Sequence, residues 1–179
     1  MSTEFSAQEA LKSRKISSEE ATLLFDNLEP VSIEFMLDRW KGEELYTGHP
    51  TEGNLAGGGW AGKTFENAET VFPAVFFTDS SETETFNVEP IIIVSPEIKT
   101  KYQNKTPGEI REVLETQKSS ARLRMVEYKG LVSATMIYDD LPVNDIFRKI
   151  DDNTVMGVMD AKGDNIPYYF LLTRLGNAQ

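Results

Sequence analysis

Gly57-Gly58-Gly59-Trp60-Ala61-Gly62-Lys63-Thr64 supports two incompatible readings. As G-x-x-x-x-G-K-[ST] it formally matches a phosphate loop. As G-x-W-x-G, over residues 58–62, it is a tryptophan held between glycines. The first reading makes an NTPase on a parallel sheet; the second makes a pocket protein on an antiparallel barrel.

A phosphate loop must follow a buried strand and open a helix, so that backbone N–H groups and the helix N-terminus face the phosphates. Here the preceding residues are Pro50-Thr51-Glu52-Gly53-Asn54-Leu55-Ala56, a turn sequence. Trp60 would also crowd a loop meant to wrap a phosphate. Thr135-Met136-Ile137-Tyr138-Asp139, an apolar run ending in a carboxylate, is the one feature that fits an NTPase. Such enzymes nevertheless need alternating βαβ units. The second half of this chain has closely spaced strands joined by turns. On the barrel reading Lys63 ends a strand, and its replacement by alanine is expected to change little.

The bulk properties narrow the function classes. With 179 residues the chain can bury a sizeable core. A net charge of −11 repels phosphate backbones and argues against nucleic-acid binding. No apolar run reaches the roughly 18 residues of a membrane span, and residues 1–14 lack the apolar centre of a signal peptide. No membrane partner is therefore expected. The absence of cysteine excludes disulfides, thiol nucleophiles and thiolate metal sites. These features together predict a cytoplasmic protein.

Ser17-Ser18-Glu19-Glu20 has capping-box spacing ahead of an apolar stripe through Leu23, Leu24 and Leu28, which predicts a helix over residues 18–28. A short helical turn over 31–37 and strands at 37–45, 60–65, 72–78 and 86–94 are expected next. Residues 46–59 read as a loop and 66–73 as a short helix. Thr106-Pro107-Gly108-Glu109 opens a helix running to about residue 117. From residue 121 onward, strands at 121–128, 131–138, 143–150, 154–160 and 167–174 alternate with turns, the spacing of an antiparallel meander. The domain reading is an N-terminal helical segment, 1–35, and one β-barrel domain, 36–179.

With Lys129-Gly130 as a two-residue loop, Tyr128 faces Leu131 and the register of the first hairpin follows. Ala121, Leu123, Met125 and Glu127 then share a face with Tyr138, Met136, Ala134 and Val132. That face is apolar apart from Glu127 and the Tyr138 hydroxyl. A one-residue slip would mix the faces, so the register is well specified.

Arg39-Trp40-Lys41-Gly42, Thr47-Gly48-His49-Pro50 and Gly58-x-Trp60-x-Gly62-Lys63-x-Phe65 together resemble the N-terminal GXWXG domain. Residues 122–130, with Ile137-Tyr138-Asp139-Asp140-Leu141-Pro142 and Gly157-Val158-Met159-Asp160, resemble the domain of unknown function that accompanies it. The resemblance covers about residues 22–80 and 116–175. It implies a mainly β fold, an antiparallel calycin-like β-barrel similar in style to lipocalins and fatty-acid-binding proteins. It implies no activity.

Few groups are candidates for chemistry. His49, the single histidine, reads as a ligand contact, a general base, a haem ligand, or a residue fixing its loop. Trp40 and Trp60 could floor a pocket or fill a core. Met125 and Met136 lie on the same face in the hairpin register and suit an adaptable apolar site. Glu127, Asp139, Asp140, Asp145 and Asp160 are the carboxylate candidates. Asp139 and Asp140 read as turn residues, whereas Glu127 lies on the apolar face, where desolvation would make it a usable acid or base. No metal-ligand set is identified, and the cofactor question stays open.

A cavity is therefore expected beside Trp40, Trp60, Met125, Met136 and Tyr138, with His49 and Glu127 at its wall or mouth. Two function classes follow. One is a carrier of a small, largely apolar molecule. The other is an isomerase, cyclase or lyase using Glu127 or His49 as acid–base. A homodimer is left open.

Overall fold

A computed structural model describes residues 8–9 and 12–176. Ser17 caps helix α1 (Ser18–Asn27), with the Ser17 and Glu20 side chains reciprocally bonded to each other's backbone N–H. This is the capping box expected from their spacing. Ala21, Leu24 and Phe25 then face Leu45, Ile146, Met156, Val158, Tyr169 and Leu171 on the outside of the sheet.

The chain continues through β1 (Glu29–Pro30), α2 (Ile33–Met36), β2 (Asp38–Glu44), α3 (Asn54–Gly57), β3 (Trp60–Phe65) and β4 (Val71–Phe77). A small β5 (Thr85–Asn87) pairs with β4, followed by α4 (Pro90–Ile93), α5 (Pro96–Lys101), a 3-10 turn (Gly108–Ile110) and α6 (Arg111–Leu114). The meander β6 (Ala121–Tyr128), β7 (Leu131–Tyr138), β8 (Val143–Asp151), β9 (Thr154–Ala161) and β10 (Tyr168–Arg174) completes the fold.

Eight strands close into an antiparallel barrel in the order β2-β3-β4-β6-β7-β8-β9-β10, with β10 returning to β2. Inside, Trp40, Phe65, Leu123, Met136, Phe147 and Phe170 belong to one continuous core. The ring is thin in one place, because β4 meets β6 only at Val71 and Ala121.

The β6–β7 hairpin forms in the expected register, from Ala121 opposite Tyr138 to Tyr128 opposite Leu131. Lys129 (φ 52°) and Gly130 (φ 80°) supply the two left-handed residues that such a loop requires. Leu123, Ala134 and Met136 are buried, but Met125 is 46% exposed and Glu127 lies at the surface. The register is right and the inward assignment of Met125 and Glu127 is not. Beyond Ala121, β6 has no β4 partner, so its last residues extend past the barrel wall. The other side of this hairpin meets β1, which wedges where β7 and β8 splay apart. There Glu29 and Pro30 pair with Lys149 and Arg148, and the Ala134 N–H donates to the Val31 carbonyl.

Three local expectations are corrected. Where a helix is expected over 66–73, residues 66–70 form a turn and β4 begins at Val71, because the Asn67 side-chain carbonyl captures the Glu69 and Thr70 N–H groups. The strand expected at 86–94 stops at Asn87. Pro90 then occupies the first position of α4, which turns Ile91–Ile93 into a helical turn. The helix expected over 107–117 is broken into the 3-10 turn and α6, although the Glu109 carboxylate does accept from the Thr106 N–H at 2.7 Å.

Candidate functional site: a lidded cavity with a buried ion pair

The Gly-rich stretch is not a phosphate loop. Gly57 ends α3, whereas Gly62 and Lys63 lie inside β3. Trp60 and Phe65 both join the interior core although they are an odd number of residues apart. Strict alternation would put them on opposite faces. A register shift between β3 and β4 at residues 60–64 provides the change of parity.

Gly62 permits that shift. Its φ is +141°, and a Cβ there would stand 1.9 Å from the Trp40 carbonyl oxygen of β2. Trp60 is held beside it, its indole Nε1 donating to the Gly62 carbonyl at 3.0 Å and its ring lying where a Cβ on Gly42 would be, 2.5 Å away. Its edge-to-face partner is Phe170, with ring centres 5.9 Å apart.

The shift brings Lys63 indoors. Its Nζ is 2.9 Å from Asp145 Oδ2, donates to the Pro73 carbonyl at 3.0 Å and to the Tyr138 hydroxyl at 3.4 Å, and lies 5.3–5.7 Å from the ring centres of Phe170, Trp60 and Tyr138. Lys63 and Asp145 are 5% and 2% exposed. Burial on its own would lower the Lys63 pKa, but the neighbouring Asp145 charge and the hydrogen bonds outweigh it and hold the ammonium above its ordinary value. Burial pushes the Asp145 carboxyl up, against the pull of Lys63. Burial likewise raises the Tyr138 phenol to about 12.

These shifts carry a sign. Lys63 and Tyr138 both hold their protons more tightly folded than unfolded, so their contribution is complete below the unfolded values of 10.5 and 10.0 and is lost as pH rises through the folded ones. The urea midpoint is expected to decline between about pH 10 and 12, and Tyr138→Phe to remove part of the decline. An equally steep decline in Tyr138→Phe would count against a phenol contribution.

The pair opens onto a cavity of about 670 Å³. Trp60, Phe76, Met159 and Phe170 are among its barrel-side walls; Pro90, Ile93, Ile98, Tyr102, Pro107 and Ile110 come from the segment between β5 and β6 and cover it. The first turn of that covering segment, α4, falls where the sequence predicts a strand over 86–94.

A second polar cluster stands beside it. The Glu44 carboxylate accepts from the Gly53 and Ala56 N–H groups at 3.0 and 2.8 Å and from the hydroxyl of Tyr168, a cavity-lining residue. Burial, with the Glu44 bond, raises the Tyr168 phenol.

Residues 23–81 match the family described as GXWXG protein, and residues 119–174 match a domain of unknown function, DUF4334. A crystal structure of a protein from Thermomonospora curvata is 32% identical, with 97% of this chain and 99% of that chain covered and a TM-score of 0.73. The chain belongs to the GXWXG family. No curated protein matches it. Among the described residues of this GXWXG protein, no helix is long and apolar enough to cross a membrane.

Of the expected site residues, Trp60 and Tyr138 line the cavity. Trp40 is core, its Nε1 donating to the Met36 carbonyl at 2.8 Å, and Met136 is buried without reaching the cavity. Met125 is at the surface. The Glu127 carboxylate accepts from the Gly130 N–H and so closes the hairpin turn instead of facing a pocket.

His49 is buried outside the cavity. Its Nδ1 accepts from the Thr51 N–H at 3.2 Å, its Nε2 lies 3.6 Å from Asp164, and its ring packs edge-on against Tyr168. It holds a loop, and the geometry supports neither a haem ligand nor a general base at the cavity. Lys63, expected to end a strand, is an interior group. The odd spacing of Trp60 and Phe65 was the signal for it. Asp145 was only one of five candidate carboxylates.

Proposed function

We propose that this GXWXG protein binds a small, largely apolar molecule in the lidded cavity. The carrying observation is a largely apolar space of about 670 Å³ with a buried polar group, Lys63–Asp145–Tyr138, in its barrel-side wall. That size and chemistry fall within the roughly 300–1,000 Å³ typical of small-molecule sites. Trp60 and Phe170 supply flat apolar contact area. The enzyme expected through Glu127 or His49 has no support, since neither side chain reaches the cavity. A cytoplasmic setting, expected from the cysteine-free composition, belongs to the same proposal.

Nile red, an uncharged apolar dye, tests the reading through its own emission and through Trp60 fluorescence. Ile93→Trp and Met159→Trp place bulk in the lid and in the wall, and each is expected to weaken binding by about tenfold or more, roughly the 1.4 kcal/mol of a blocked contact surface. Glu127→Gln is expected to leave affinity unchanged. Unaltered affinity in both tryptophan variants would show that the dye binds elsewhere.

A further inference from the structure

We infer that the buried end of this cavity takes an uncharged ligand carrying a hydrogen-bond acceptor, such as a ketone or ester oxygen, and discriminates against carboxylates. The inference rests on the reading of the cavity as the ligand site and specifies its ligand class.

The Lys63 ammonium has three N–H donors and faces three protein acceptors, Asp145, the Pro73 carbonyl and the Tyr138 hydroxyl. Its charge is neutralised within the wall and its donors are occupied. An apolar acid seated there would bring a second negative charge beside Asp145 with no free cation to meet it, and burying an unpaired charge is costly. The remaining cationic lining residues, Lys99 and Lys105, are exposed at the lid, and Lys105 is already 3.0 Å from Glu109. The net charge of −11 further disfavours anions.

At the buried end, beside Lys63 and Asp145, Tyr138 is the group left to recognise a ligand. Its hydroxyl accepts from Lys63 and makes no other hydrogen bond among the described residues, so its own O–H is available to the cavity that it lines. The adjacent ammonium polarises that O–H and strengthens it as a donor. With its pKa raised to about 12, the phenol stays protonated throughout the neutral range.

The test is displacement of Nile red at pH 7.5 by 2-decanone, methyl decanoate, sodium decanoate and decane. The ketone and ester are expected to displace the dye at concentrations at least about tenfold below decanoate, a gap of about 1.4 kcal/mol. Tyr138→Phe should weaken the ketone several-fold and leave decane unchanged. Asp145→Asn, which frees the Lys63 charge, should narrow or reverse the preference against decanoate. Lys99→Gln/Lys105→Gln should leave ketone affinity within about twofold. Decanoate competing as well as the ketone in the unaltered protein would overturn the inference, and so would Tyr138→Phe without effect on the ketone. A large loss in the double lysine variant would place the polar end at the lid and overturn it too. The unaltered protein and Tyr138→Phe decide the matter if Asp145→Asn fails to fold. Displacement without discrimination defeats only the ligand class. Absence of dye binding defeats the cavity reading as well.

Discussion

Gly62→Ala is expected to destabilise the barrel by about 3 kcal/mol or more, or to prevent folding, a loss in the upper range for a single methyl group. The new Cβ would lie 1.9 Å from the Trp40 carbonyl oxygen and 2.7 Å from the Gly42 nitrogen, both backbone atoms of β2. Neither can move without opening the β2–β3 ladder, in which Lys41 pairs with Gly62. The φ of +141° adds strain of its own. Gly57→Ala is the matched control, because its Cβ would meet nothing within 4 Å at the end of α3. Urea denaturation should show a large fall in midpoint for Gly62→Ala and almost none for Gly57→Ala. Coincident midpoints for Gly62→Ala and the unaltered protein would mean that the strand shift does not depend on this glycine.

Asp145→Ala is expected to cost about 3–5 kcal/mol, because it leaves the Lys63 ammonium buried without its counter-charge. Lys63→Ala should be destabilising for the converse reason, against the expectation that Lys63 merely ends a strand. The pair is not required for stability as such. Buried ion pairs replaced on both sides by apolar groups of similar volume are often neutral or better. Lys63→Met with Asp145→Leu should therefore recover most of the loss and show a strong coupling in a double-mutant cycle. Single variants whose costs simply add in the double would rule out a working pair. The double variant also separates stability from recognition: it should fold, yet Tyr138 would lack the ammonium behind it.

The accuracy of the sequence reading follows the range of the interactions involved. The β6–β7 hairpin was legible to the residue because its loop needs two left-handed positions and Lys129-Gly130 supplies them a few residues from the strands they join. The capping box at Ser17 and Glu20 is equally local. Residues 86–94 look like a strand because an apolar run looks alike in a strand and in a helical turn, and it is Pro90 at the first helical position that distinguishes the two.

The candidate site was less legible still. Met125 and Glu127 have the right parity for the interior, but parity does not tell where a barrel wall ends, and β6 outruns β4. Trp40 and Trp60 belong to one motif region, yet only Trp60 faces the cavity. His49, chosen because it is the sole histidine, is held by Thr51 and packs behind Tyr168.

From sequence alone came the antiparallel meander, the first hairpin's register, the family resemblance and the rejection of a phosphate loop, since each rests on a period of two, a turn or a motif read along contiguous residues. The tertiary structure decided the inward turn of Lys63, its pairing with Asp145 on a strand across the barrel, and the lid formed by the segment between β5 and β6. The physical reason is that the parity of β3 is set by the backbone approach of β2 at Gly62 and the shifted register with β4, and a charge at position 63 becomes tolerable only once barrel closure brings a carboxylate to meet it.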